Sequence, residues 1–134
     1  MAKISLRIIP LAAAAMTMMG MASAAPTTTS PIALRGLETG EWELHERGAE
    51  SRKLCVSDLR QLLQVRHGRT LCRSMTVDDS HQSITVNYDC AAAGNGRTQL
   101  RVETARLVQI NSQGVANGAP FAFSVEGRRV GACH

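Results

Sequence analysis

Four cysteines, Cys55, Cys72, Cys90 and Cys133, constrain this 134-residue chain more than any other feature. Cys133 is the penultimate residue, in VEGRRVGACH. Chain ends usually fray and tolerate change, so a cysteine there implies a tail tied to something inside the chain. Four cysteines allow three pairings. The stretch CRSMTVDDSHQSITVNYDC, residues 72 to 90, decides among them. It reads as a hairpin, two strand-like runs about a polar tip at 78 to 83. If Cys72 faces Cys90, the same register sets Arg73 against Asp89, an opposite-charge cross-strand pair. It also sets Ser74 against Tyr88 and Thr76 against Val86. Cys55 is then left to pair with Cys133.

The compartment follows from the other end. MAKISLRIIPLAAAAMTMMGMASAAP has a basic start at Lys3 and Arg7, an uncharged apolar run, and the small-x-small pattern Ala22-Ser23-Ala24. This is the pattern of a cleaved secretory signal over residues 1–24. Pro10, Gly20 and the alanines make it weakly hydrophobic for a span of about 20 residues. No membrane span is therefore expected once it is removed. Removing 24 of 134 residues leaves 110, enough for one domain. The net charge of +4 falls to +2 as Lys3 and Arg7 leave. Such a balance makes no case for nucleic acid, and Trp42, Tyr88, Phe121 and Phe123 are too few to build a stacking platform. Export places the four cysteines in an oxidising space, the periplasm, where an even count reads as a disulfide framework.

Along the mature chain, residues 25–39 are rich in Thr, Ser and Pro and read as a mobile leader. A single β-rich domain follows at 40–134. Trp42 and Leu44 alternate with Glu43 and His45, the period of a half-buried strand. Residues 51 to 56 can return as a second strand. SDLRQLLQVRHG reads as a short helix with Ser57 at its N-cap and Gly68 closing it. Ile84, Val86 and Tyr88 share one face of the hairpin. AAAGNGR (91 to 97) and GVANG (114 to 118) read as turns. Leu100 and Val102 point inward, as do Phe121, Phe123 and Val125. Six or seven short strands with turns between them predict a mostly β, antiparallel meander with one short helix, curled into a half-barrel or small barrel. A two-layer β-sandwich is the alternative.

The order Gly40-Glu41-Trp42-Glu43, then Cys55-Val56, then a cysteine pair around a hairpin, then GRRVGAC from Gly127 to Cys133, resembles the domain of unknown function 3617 family of exported proteobacterial proteins. RVETARLVQINSQGV with PFAFSVEGRRVGAC resembles its sphingomonad-type subgroup. His134, after the last cysteine, departs from the pattern. The resemblance implies a periplasmic β-domain with two disulfides and brings no activity, cofactor or catalytic residue.

Chemistry must come from the residues themselves. No CxxC is present, and His45, His67, His81 and His134 are scattered, so neither a metal nor any other cofactor is expected. Strand alternation splits Glu38, Glu41, Glu43 and Glu46 between faces, which assigns no carboxylate pair. Ser57, Ser74 and Ser112 lack a nucleophile motif. His45 reads as a surface histidine and His67 as a residue at a helix end. Arg128 and Arg129 are the anion-site candidates, with an ion pair to Glu43 or Glu103 as the preferred reading. The chain is thus expected to be a non-enzymatic binding module of the cell envelope, for a periplasmic protein or a small apolar ligand. An envelope-acting hydrolase or a periplasmic hydrolase inhibitor is the alternative.

Overall fold

Alternating apolar and polar residues sort onto the two faces of one antiparallel sheet in the computed structural model, which describes residues 29–134. The expected signal, residues 1–24, lies outside the described residues. The strands are β1 (Gly40–Glu46), β2 (Arg52–Val56), β3 (Arg73–Asp79), β4 (Ser83–Asp89), β5 (Gly94–Thr104), β6 (Leu107–Ala116) and β7 (Ala119–Gly131). Their order across the sheet is β2-β1-β7-β6-β5-β4-β3. From β3 to β7 the chain is a meander, and the β1–β2 hairpin then docks on the far side of β7. β2 and β3 are left as edges, so the sheet does not close into a barrel.

The hairpin register is the one expected: Arg73 faces Asp89, Ser74 faces Tyr88 and Thr76 faces Val86. A bulge at Val77 then shifts it by one residue. Both disulfides are formed as expected, Cys72–Cys90 with Cα atoms 4.9 Å apart and Cys55–Cys133 at 5.5 Å. The turns are tighter than the sequence suggests. β6 and β7 are joined by Asn117 and Gly118 alone, both at positive φ (51° and 79°). That is what a two-residue hairpin matched to the strand twist requires.

One face of the sheet carries the core. Trp42, Leu44, Ile84, Val86, Leu100, Val108 and Ile110 are all buried there. Two non-strand segments cover them. The first corrects the expected domain boundary at residue 40. Residues 31 to 39 are packed into the domain, with Ala33, Leu34 and Leu37 buried. Asp79 accepts the N–H groups of Ile32 (2.7 Å) and Ala33 (3.0 Å), pinning the short 3-10 turn Ile32–Leu34. The indole N–H of Trp42 donates to Glu38 O at 3.0 Å.

The second covering segment corrects the expected helix. Leu59–Leu63 forms a 3-10 turn, and its cap is Asp58, not Ser57. The glutamines explain why. Gln61 Oε1 accepts from the N–H groups of Ser57 and Asp58, while its amide donates to Arg69 O. Gln64 donates to Thr70 O at 2.6 Å and accepts from Cys72 N–H at 2.9 Å. Gln61 completes a capping box with Asp58, and Gln64 ties the turn to Thr70 and Cys72, which holds the segment in a compact wrap. A helix this short has little stability of its own to resist them. The Arg60 guanidinium, hydrogen-bonded to Asp58, holds that carboxyl below its usual range.

Two stability predictions follow. Leu34→Ala should cost about 2–5 kcal/mol, as for other buried leucines, read as a lowered urea midpoint. An unchanged midpoint would return residues 31 to 39 to a leader outside the domain. The two bridges close spans of 78 and 18 residues. Loop entropy then gives about 4.5 kcal/mol for Cys55–Cys133 and about 3 for Cys72–Cys90. Paired Cys→Ala variants compared under non-reducing conditions should fall in that order. The reverse order would refute the entropic account.

Candidate binding groove

β7 has 13 residues and β1 has 7. β1 pairs with β7 only from Gly131 back to Val125, where Glu46 is the last partner. β6 runs beside β7 for much further, to Ala119. The first part of β7, APFAFS, therefore has a neighbour strand on one side and none on the other. Phe121 and Phe123 sit on the core face there, half-buried, with ring centroids 5.8 Å apart. Beside them runs a groove of about 560 Å³, floored by Phe121, Phe123 and Val125 and rimmed by Glu46, Glu50, Arg52 and Arg66. The Arg66 guanidinium lies 5.9 Å from the Phe121 ring centre. A second, polar depression of about 520 Å³ opens next to it, lined by Gln99, Asn111, Gln113 and Ser124 among others. Glu46, Ala122 and Phe123 line both.

Under the end of the sheet lies a polar cluster. His67 is not at a helix end. Its Nε2 lies 3.0 Å from Val115 O and 3.2 Å from Ala93 O, and two acceptors require a hydrogen on that nitrogen. Nδ1 then accepts from the Tyr88 hydroxyl at 2.9 Å. The Tyr88 ring can lean this way because residue 96 opposite is glycine, where any Cβ would strike the phenol. Burial raises the Tyr88 phenol above its usual range, and the Ser112 hydroxyl partly offsets this. The Ser112 hydroxyl is buried and bonded to Thr98 Oγ1 at 2.8 Å. In this arrangement His67 latches the covering segment to the ends of β5 and β6. It is not aimed at Ser112, so the cluster lacks the nucleophile–base contact that acyl transfer uses.

The anion-site candidates are separated and engaged. Arg129 donates from Nε to Thr39 O at 2.7 Å and lies 3.6 Å from Glu38, which Arg106 also holds at 2.7 Å. Arg128, on the opposite face, meets Glu126 at 3.2 Å. The carboxylates are thus Glu38 and Glu126, not Glu43 or Glu103. Glu41 pairs with Lys53, and His45 meets Ser51 on the surface. Among the described residues no group of three His, Cys, Asp or Glu side chains is placed to hold a metal, and no helix is long and apolar enough to cross a membrane. The groove itself was not legible as a site, because Phe121 and Phe123 read as ordinary core-facing residues. Pro120 was the available signal, since proline within a strand marks an unpaired edge.

The chain matches no known family model, no curated protein and no solved structure. The reading of its function rests on the geometry above.

Tyr88 is the chain's one tyrosine, which makes its titration clean. Its folded pKa is raised above 10.0, so the fold favours the neutral phenol. The resulting stabilisation is present below the unfolded pKa and is lost as pH rises through the folded one. Tyrosinate absorbance should give a midpoint above 10.0, and unfolding free energy should decline more steeply over that window in the wild type than in Tyr88→Phe, where only the Lys53–Glu41 pair still titrates. A midpoint at or below 10.0 would contradict the buried placement.

Proposed function

We propose that this chain is an exported, non-enzymatic binding module of the cell envelope, and that its ligand site is the groove beside the free half of β7. One observation carries the reading. Two stacked phenylalanines, half-buried, stand beside a sheet edge, in a concavity with a charged rim. The groove sets that apolar pair among four charged side chains, Glu46, Glu50, Arg52 and Arg66, so its wall is more polar than that of a typical small-molecule pocket. The oxidising compartment is supported by two formed disulfides and by the basic-apolar-small pattern of residues 1–24.

Expression of the full chain in a Gram-negative host, followed by periplasmic extraction and N-terminal sequencing, should yield a protein starting at Ala25. One still starting at Met1 would refute export. Titration of the isotope-labelled mature domain with anilinonaphthalene sulfonate, an apolar probe, should shift the amide resonances of residues 121 to 125. Shifts confined to other regions would refute the assignment of the site.

A further inference from the structure

We infer that the groove takes an extended polypeptide segment of a partner protein, which adds as a strand to β7 antiparallel to it. This deepens the binding-module reading and rests on it.

The backbone supplies the first argument. Arg129 N–H donates to Arg106 O at 2.9 Å, which makes Leu107 and Arg128 a non-hydrogen-bonded pair. The β6–β7 register runs without a bulge from there to Ala116 opposite Ala119. Alternation then sends the N–H and C=O groups of odd-numbered β7 residues toward β6. Those of even-numbered residues point the other way. At Glu126 and Arg128 they meet β1, opposite His45 and Glu43. At Ala122 both groups face the groove with no backbone partner among the described residues; at Ser124 the N–H does, while the non-hydrogen-bonded pair Glu46–Val125 turns Arg47 N–H toward Ser124 O. Pro120, with no N–H to offer, ends the run. Ala122 thus presents a donor and an acceptor, and Ser124 a further donor, beside the apolar seat of Phe121 and Phe123. Main-chain pairing with side-chain pockets alongside is how an added strand is held.

For this direction the rim sets the charges that the segment should carry. A strand antiparallel to β7 lies in line with β1 and runs the same way. Its amino end sits where β1 leaves the sheet, beside Glu46 and Glu50. Its carboxyl end sits toward Phe121, under Arg66. The rim therefore suits a segment that is basic or has a free amine at its start, apolar at alternate positions, and acidic at its end.

A second copy fits less well. Antiparallel pairing of two β7 edges centred on Ala122 would bring Asn117 of the incoming copy opposite Gly127, a place already taken by Leu44. Its β6–β7 turn would collide with the β1–β2 hairpin.

The test uses the mature domain and synthetic hexapeptides with lysine at the amino end, valines at alternate positions and glutamate at the carboxyl end. Their charge-reversed counterparts serve as controls. The first set should bind at least tenfold more tightly, and should slow hydrogen exchange of the Ala122 and Ser124 amides. Ala122→Pro removes one outward donor and should weaken binding at least tenfold. Far-UV circular dichroism checks that this variant folds. Arg66→Glu, an exposed change that leaves the backbone untouched, should erase the charge preference. Binding that Ala122→Pro leaves unchanged, in a folded variant, would overturn strand addition, as would unprotected amides in the wild type. Silence of all peptides while anilinonaphthalene sulfonate still fills the groove would overturn strand addition and leave the binding module standing. Silence of both would overturn both. Concentration-dependent dimerisation abolished by Ala122→Pro would assign the edge to a second copy and refute a separate partner.

Discussion

The sheet depends on β1 lying against β7. Without that pairing the meander from β3 to β7 would lack Trp42 and Leu44, two of the largest fully buried side chains in the protein. The pairing is distant in sequence, so it must offset a large loop-closure entropy. The Cys55–Cys133 bridge is placed to help. Cys55 stands opposite Glu41 on one flank of β1, and Gly131 stands opposite the same Glu41 on the other. The bridge thus joins β1's two neighbours across its start. It clasps the strand on which the core relies, and the Glu38 carboxylate shared by Arg106 and Arg129 ties down the segment leading into it.

What could be read from the sequence was local. The 72–90 hairpin carries its register in its own residues, because a cysteine pair and a charge pair agree on it, and that register is the one observed. The long bridge followed from the short one. Strand faces were legible wherever alternation was strict, as at Trp42 and Leu44. The covering segments were not legible. Leu59, Leu62 and Leu63 repeat as a helix would, yet the turn ends at Leu63, and Gln61 and Gln64 tie it to Arg69 and Thr70. Residues 31 to 39 look like a leader because their few apolar side chains have no period. They are buried because Asp79, 46 positions away from Ala33, captures two of their N–H groups. His67 was misplaced for the same reason. Its partners Tyr88, Ala93 and Val115 come from three other parts of the chain.

The groove was illegible for a further reason: it is made by a mismatch between strands. No residue in APFAFS announces it. It exists because β1 turns away at Glu46 while β6 and β7 run on to Asn117 and Gly118. The same docking that completes the core therefore leaves half of β7 open, and the strand-length difference sets how much.

The other edges of the sheet are guarded in part: the first half of β3 leaves Met75 exposed, and its second half and β2 carry the devices. β3 carries a bulge at Val77 followed by Asp78 and Asp79. β2 is five residues long and displays Arg52 and Lys53. Bulges, short length and charge are the usual devices against unwanted strand pairing. On the free half of β7 the corresponding device is Pro120 alone, at one end. Beyond it come Phe121, Ala122, Phe123 and Ser124, uncharged and of good strand-forming type at both aromatic positions. The protection there is steric instead. The β1–β2 hairpin and the Arg66 segment border the edge, and Glu46, Glu50, Arg52 and Arg66 line the groove beside it.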